Sequence, residues 1–544
     1  MSSATFSPAS YGFSFDSNSS AVNSVVSRVQ DNQTLVIGIA VALSVLFTVR
    51  YLQSPWRKLP PGPRGLPILG NALDLRKKPW IKFMEWKEKY GDVVYVNAAG
   101  TPMIVLNTQK AGGDLLDRRA AIYSDRAKNI VAGVLTKNLI LLLQNYTPLW
   151  RRMRKASHEG LNSPDVEEHI KHGSTDEALI LTLGMLENPA EWDEHMRRSS
   201  VSLIMSTVYG TPPIARADDP RVQSINAFIE RLGHACMPGA YLVEFFPFLR
   251  HFPSWLAGWK REAEEWHVKD SAKFEGLFQT AKASVNAGDE RMYLTSKIIK
   301  DHARYQLTPP ETTWLAGQMF AAGSDTTSAT LAWGVLGMLA NPHTVKAAQA
   351  QLDDVVGRSR IPTHADIKNL PYIRAIVREM LRWRPIGPAG LPHAAAVDDW
   401  YEGMFIPKGA IIMPHVWAMN HEPAIYGPDY AEFKPERHLD ATGEIAPAPP
   451  ETKEEGHVGY GFGRRICVGR SMANISLLMD TALILWACNL ERERDADGNL
   501  VPLNLDDWDD EGLVTRPMPF KLGVSSRFPD ALHLLREERT LRAQ

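Results

Sequence analysis

Cysteine is scarce in this chain: Cys236, Cys467 and Cys488 are the three among 544 residues. A secreted disulfide framework needs more of them, in pairs, so that architecture is excluded. No two of them form a Cys-x-x-Cys, which argues against a structural zinc site as well. Cys236 and Cys488 lie in apolar surroundings and read as small core residues. An excess of one charge is also lacking. Lys+Arg at 60 nearly balance Asp+Glu at 62, for a formal net charge of -2. Such a chain has no broad electrostatic footprint for nucleic acid, and no nucleic-acid partner is expected. Neither a repeat of fixed period nor a long low-complexity linker divides the sequence after residue 60. With 44% hydrophobic residues it can bury a large core, so one large catalytic unit is expected.

Long apolar runs are rare too. The run Leu35–Val49 carries no charge. At about 1.5 Å per residue, and with Thr34 and Tyr51 added, it nearly spans a hydrocarbon core of roughly 30 Å. A signal-peptide core or a buried helix shares this composition. A signal peptide, however, begins near the first residue with basic charge, whereas a polar Ser/Asn-rich stretch precedes this run and no clear cleavage site follows it. A transmembrane anchor over residues 34–51 is therefore expected. Arg50, Arg57, Lys58 and Arg64 follow the run and Arg28 stands alone before it, which places the C-terminal body in the cytosol. Residues 1–33 become a lumenal polar tail, in which Asn18-Ser-Ser and Asn32-Gln-Thr are glycosylation triplets. Leu59-Pro60-Pro61-Gly62-Pro63 reads as a stiff extended connector. The expected division is a proline-rich hinge over 52–66 and a catalytic domain over 67–544.

The body reads as mainly α with small β-sheets. Residues 92–106, rich in Val, Ile and Tyr around a central Gly, predict a β-hairpin. Helical periodicity dominates from about 145 to 385, and strand-like pieces return at Met404–Pro407 and Ala410–Pro414. From about 495 onward Pro, Gly and Asp punctuate short apolar runs.

Three segments carry chemistry. Thr308-Pro-Pro-Glu311 is a helix start with capping-box spacing, and Asn341-Pro342 is its stop. The helix between them is roughly 45–50 Å long. Its middle, Ala322-Gly323-Ser324-Asp325-Thr326-Thr327, gathers poor helix formers inside an apolar segment. That conflict fits a functional distortion, or equally a tolerated glycine beside a hydroxyl bonded to the preceding turn. The second segment is an amphipathic helix with an apolar stripe at Ile373, Ile376, Val377, Met380 and Leu381. Glu379 and Arg382, three apart, share one of its faces, and by themselves they read as a surface ion pair. In the third, Tyr460-Gly-Phe-Gly-Arg-Arg-Ile-Cys-Val-Gly-Arg470, glycines wrap Cys467 just before a helix begins. Backbone N–H groups and the helix N-terminus suit a thiolate there. A redox-sensor thiol or a glycine-rich turn has the same appearance.

Together, in this order and spacing, the segments resemble the cytochrome P-450 family over nearly the whole chain. Gly463, Arg465, Cys467 and Gly469 match the family's Phe-x-x-Gly-x-Arg-x-Cys-x-Gly signature, with Tyr460 in place of Phe and Val468 where many microsomal members have Pro. The resemblance implies a cytochrome P-450-like fold preceded by one N-terminal transmembrane helix. It also implies haem b as cofactor, with Cys467 as its axial thiolate. Glu379 and Arg382 match the Glu-x-x-Arg pair, which Arg437 would join in a buried network. Trp150 and Arg154 match a Trp-x-x-x-Arg element that, with Arg465 and His393, would hold the haem propionates. Guanidinium forks suit that task because they bind carboxylates in pairs of bonds and keep their charge.

The same resemblance implies a haem-thiolate monooxygenase. A thiolate ligand favours O–O cleavage, Asp325 and Thr326 look like an acid–alcohol proton relay, and Gly323 would leave room for oxygen beside the helix. No flavin or nicotinamide domain is evident in the sequence, so NADPH-cytochrome P-450 reductase is the implied electron donor. The cytosolic orientation resembles the microsomal type, on the endoplasmic reticulum membrane. The wording around Arg384-Pro-Ile-Gly-Pro and Trp417-Ala-Met-Asn420 is similar to fungal secondary-metabolism members. A lipophilic terpenoid or polyketide is the implied substrate. A haem-thiolate isomerase or dehydratase, or a non-catalytic haem-binding protein, is the competing expectation.

Overall fold

The computed structural model describes residues 33–542 except 215, 217, 218, 238 and 510–513. Asn18 and Asn32 lie outside the described residues. The chain forms two compact units, one of Met1–Leu59 with Gly403–Phe405 and one of the remainder.

In the smaller unit a helix runs over Gln33–Gln53, followed by a short turn of helix at Pro55–Lys58 whose first free N–H, on Trp56, donates to the Ser54 hydroxyl. The described side chains of the long helix begin at Ile37, and Ile37, Leu43 and Phe47 among them are exposed. No helix among the described residues is long and apolar enough to cross a membrane. The expected span over 34–51 is thus present as a helix but is not established as a crossing. Arg50 falls inside the expected span and Gln33 and Gln53 bound the helix, so its charge-free part is shorter than the roughly 20 apolar residues a bilayer asks for.

The larger unit is helical around one long central helix, Pro309–Ala340. It starts and stops where the sequence predicts. The Thr308 backbone N–H donates to the Glu311 carboxylate at 2.8 Å in a capping box, Pro309 occupies the first position, and Asn341 closes the end. Two hydrophobic cores share this helix. Trp314, Leu315, Met319 and Phe320 belong to one, packed by helices Pro148–Leu161, Trp192–Tyr209, Pro220–Cys236 and Gly258–Asn286. Leu331, Trp333, Leu336 and Leu339 belong to the other, with helices Pro342–Val355, Pro371–Trp383 and Arg470–Ala487. Residues 321–327 lie between the two cores.

The second core contains a buried charge. Glu379 and Arg382 are wholly inaccessible, so their sequence alternative of a surface ion pair is set aside. Arg382 grips Glu379 with two bonds of 2.7 Å, and Arg437 Nε reaches the same carboxylate at 3.0 Å. His438 and the Lys434 backbone N–H complete its shell. Burial alone would raise the Glu379 pKa, but Arg382 and these partners hold it well below the ordinary carboxylate range.

A five-stranded sheet lies at one margin, in the order Val93–Ala98, Thr101–Leu106, Ile411–Pro414, His393–Ala394, Asp125–Arg126. The first two strands form the predicted hairpin, turning through Ala99 and Gly100, both at positive φ. The last pairing places Arg126 opposite His393. Part of the expected hinge lies along the outer strand. The Tyr95 N–H donates to the Pro61 carbonyl at 2.9 Å, and a Cβ at Gly62 would come within 1.8 Å of the Tyr95 oxygen. The residues from Pro60 therefore pack with the body and are not a free connector. A helix at Ala531–Arg542, not anticipated from the sequence, buries Ala531 and Leu535 in the second core.

Candidate functional site

The cysteine loop is held open by its glycines. Gly463 has φ +55°, and a Cβ there would sit 2.1 Å from the Leu116 carbonyl oxygen. Its N–H donates to the Asp117 carboxylate. Phe462 is fully buried beside it, and the Cys467 N–H donates to the Tyr460 carbonyl at 2.8 Å. Gly469 caps the helix Arg470–Ala487, and its N–H is directed to the Cys467 sulfur. Desolvation pushes the thiol pKa up, against Gly469, Arg154 and Arg470, which favour the thiolate. Cys467 nevertheless exposes surface.

The central helix is partly open at its middle. Ala322 is exposed and Ala321, Gly323, Asp325, Thr326 and Thr327 are half-buried, while the helix is buried on either side from Thr312 to Phe320 and from Ser328 to Leu339. The helix is unbroken here, so the predicted distortion is absent. The Thr326 hydroxyl donates to the Ala322 carbonyl at 3.0 Å, the back-bond that sequence reasoning offered as the alternative. Gly323 is explained by packing, since a Cβ would lie 2.5 Å from Ile204 Cγ1. Asp325 turns toward Arg516, whose Nη1 donates to its Oδ1 at 2.8 Å.

Three guanidiniums gather near the cysteine loop. Arg465 lies 4.3 Å from the Trp150 ring centroid and donates to the carbonyls of Ser124, Leu141 and Gln144. Trp150 Nε1 shares the Leu141 carbonyl. Arg154 donates to the Ile466 carbonyl. Arg126, which sequence reasoning missed, donates to the carbonyls of Leu391 and Pro392 and leaves its Nε buried without a partner. Among the described residues none of the three pairs with a carboxylate. Desolvation and mutual repulsion lower Arg465 to about 9, and desolvation lowers Arg126 to about 10. His393 is buried, engages the Tyr123 carbonyl at 2.8 Å, and falls to about 3 through burial and then Arg126. It is neutral, so any part it takes in anion binding is that of a hydrogen-bond donor and not of a charge. Guanidiniums without anions, one buried and two half-buried, fit a place built for an anion from outside the chain.

The family model described as Cytochrome P450 matches residues 60–524. The chain belongs to the cytochrome P450 family. A cytochrome P450 monooxygenase of Armillaria gallica is 53% identical over 95% of this chain and 99% of its own length. Another P450 monooxygenase, of Postia placenta, is 45% identical over 92% of this chain and 95% of its own. One from Amanita muscaria is 37% identical over 94% and 98%. Enzymes of this P450 monooxygenase family bind haem b through a cysteine thiolate, draw electrons from a redox partner and take lipophilic substrates. The residues present fit that group. A haem offers two carboxylates and one iron, and this chain offers three guanidiniums lacking anions among the described residues and one accessible thiol. Among the described residues no group of three or more His, Cys, Asp or Glu side chains is arranged to hold a metal ion by itself.

Arg126 is invisible to sequence patterning because nothing in Tyr123-Ser-Asp-Arg-Ala127 signals a site. Its place follows from pairing with His393 across the sheet.

Proposed function

We propose that this protein is a haem-thiolate monooxygenase in which Cys467 ligates the iron and Arg126, Arg154 and Arg465 receive the propionates, with Trp150 supporting Arg465 and neutral His393 at the margin. When bound, the haem activates O2 and inserts one oxygen atom into a lipophilic substrate, the other leaving as water. Gly463 and Gly469 shape the loop and orient N–H groups, and the Gly469 N–H steadies the sulfur as thiolate. Asp325 and Thr326 would carry protons from solvent to the oxygen-binding side of the haem. Gly323 serves oxygen access only indirectly, by letting the neighbouring helix close against the central one. The observation that carries this reading is an accessible thiol, set in a loop with three guanidiniums that have no carboxylate partner among the described residues, together with an exposed Ala322 in an otherwise buried helix.

Electrons would come from NADPH through a separate reductase. The relatives are fungal P450 monooxygenases, and the segments around Arg384-Pro-Ile-Gly-Pro and Trp417-Ala-Met-Asn420 resemble fungal secondary-metabolism members, which favours a terpenoid or polyketide as substrate. The apolar helix Gln33–Gln53 supports a single anchor in the endoplasmic reticulum membrane, with residues 1–33 lumenal, 52–66 as a hinge whose part from Pro60 is docked on the body, and 67–544 as the catalytic domain. In the body, exposed Leu242, Phe246, Phe248, Trp255 and Leu256, with Arg250 and Lys260 among them, support a second lipid contact.

The deciding experiment is the carbon monoxide difference spectrum of the reduced protein. A thiolate-type Soret band is expected, and Cys467→Ser should abolish it while imidazole- or water-type binding persists. Survival of that band in the variant refutes the ligand assignment. NADPH-dependent oxygenation in the presence of reductase separates this reading from an isomerase, a dehydratase or a non-catalytic haem carrier.

A further inference from the structure

Asp325 belongs to a closed ring of four charges drawn from three elements. Asp193 and Arg197 lie in the first turns of the helix Trp192–Tyr209, Asp325 on the central helix, and Arg516 on the short strand Arg516–Pro517. Arg516 Nη1 donates to Asp325 Oδ1 at 2.8 Å and to the Ser328 hydroxyl at 3.0 Å. Its Nη2 donates to Asp193 Oδ1 at 2.5 Å. Arg197 Nε donates to Asp193 Oδ2 at 2.8 Å, and its Nη1 lies 3.7 Å from Asp325 Oδ1. Accessibility is graded around the ring. The Arg516 side chain is 9% exposed, Asp325 28%, Asp193 35% and Arg197 38%.

A carboxylate that carries protons inward must let go of its partners. If Asp325 left Arg516 with no other anion, a nearly buried guanidinium would be stranded, and the penalty for an uncompensated buried charge would hold Asp325 in place. Asp193 removes that penalty, because it stays on Arg516 when Asp325 turns away. Arg197, more exposed and more distant from Asp325, offers a looser second station on the solvent side. Asp193 itself is well suited to remain ionised. Burial works against its charge, yet Arg516 and Arg197 hold its pKa below the usual value, and it stands at a helix N-terminus.

We propose that Asp193 is a positioning residue for proton delivery: it is the standing counter-ion of Arg516 that frees Asp325 to move between solvent and Thr326. The inference rests on the reading of Asp325 as the proton-carrying acid. It requires no group beyond water as proton source.

The test uses full-length holoenzyme reconstituted with reductase and NADPH, with no added substrate, and compares Asp193→Asn, Asp193→Glu and Asp325→Asn. The readout is the share of consumed O2 recovered as hydrogen peroxide, which rises when protons arrive late. Asp193→Asn should raise the ratio of peroxide to water on the order of tenfold, less than the roughly 10²-fold or more that a positioned proton donor itself contributes because Asp193 acts through Arg516, and Asp193→Glu should lower it again. A second readout is independent of turnover. Among the described residues each single Asn variant leaves Arg516 one carboxylate and the double variant leaves none, so the double loss of melting temperature should be about twofold larger than the sum. Unchanged partition in Asp193→Asn with a raised peroxide share in Asp325→Asn overturns the inference alone, as does additive melting. Unchanged partition in Asp325→Asn overturns the acid assignment, and the inference with it.

Discussion

Replacing Glu379 by Gln keeps the shape of the side chain and removes its charge. Arg382, fully buried, then loses its one anion among the described residues, and of its two 2.7 Å bonds only that to the remaining amide oxygen can persist. Its remaining partners are the carbonyls of Asn420, Tyr430 and Glu432, which satisfy N–H groups without neutralising a charge. Arg437 fares better, because Asp429 Oδ1 stays 3.1 Å from its Nη1. The loss thus amounts to one stranded buried cation, about 3–5 kcal/mol, a large part of the 5–15 kcal/mol by which domains are typically stable. Asp429→Asn is the control. It disturbs the same Arg437, but the Asp429 side chain is 27% exposed and the expected cost is at most about 1 kcal/mol. The assay is urea unfolding followed by tryptophan fluorescence, since Trp333 and Trp383 lie in this core. Equal midpoints for the two variants, or a Glu379→Gln cost under about 1 kcal/mol, would refute the claim that this carboxylate holds the core together by charge.

Thr326→Ala should keep haem but divert reducing equivalents to peroxide, read as peroxide formed per NADPH; unchanged coupling would refute a proton-relay role for the hydroxyl. Arg126→Met should leave the fold intact, because its guanidinium bonds only carbonyls. Losing one charge-assisted contact, about 1.5–3 kcal/mol, should speed haem transfer to an acceptor apoglobin roughly 10–150-fold; wild-type retention would place the propionates elsewhere. Deleting residues 1–50 should weaken but not abolish partition to anionic vesicles, and substituting Phe248 and Trp255 by Ser in the truncated chain should abolish the remainder. Full vesicle binding by that doubly altered chain would exclude the aromatic surface as the lipid contact.

Where local chemistry decides an element, the sequence was readable. Thr308 and Glu311 fix the start of the central helix, Asn341 its end, and Gly100 the hairpin turn. The network of Glu379, Arg382 and Arg437 was legible through family resemblance, whereas the residues alone read as a surface pair. What pattern could not reach are contacts between distant segments. Arg126 meets His393 only through strand pairing, Asp193 meets Arg516 only because two cores share one helix, and the partner of Gly323 is an isoleucine on another helix. The helix Ala531–Arg542 was missed because its strong helix formers follow a stretch read as punctuated loop.

The segment from Pro60 to Gly62 has a practical consequence for handling the protein. The strand Val93–Ala98 is the outermost of its sheet, and an uncovered outer strand recruits other chains. Proline has no N–H to extend a ladder, so a segment laid along that strand through the Pro61 carbonyl acts as selvedge does on cloth and stops the weave from being continued. A soluble form begun before Pro60 keeps its border. One begun at Gly65 exposes a raw edge and should precipitate, however well the rest of it folds.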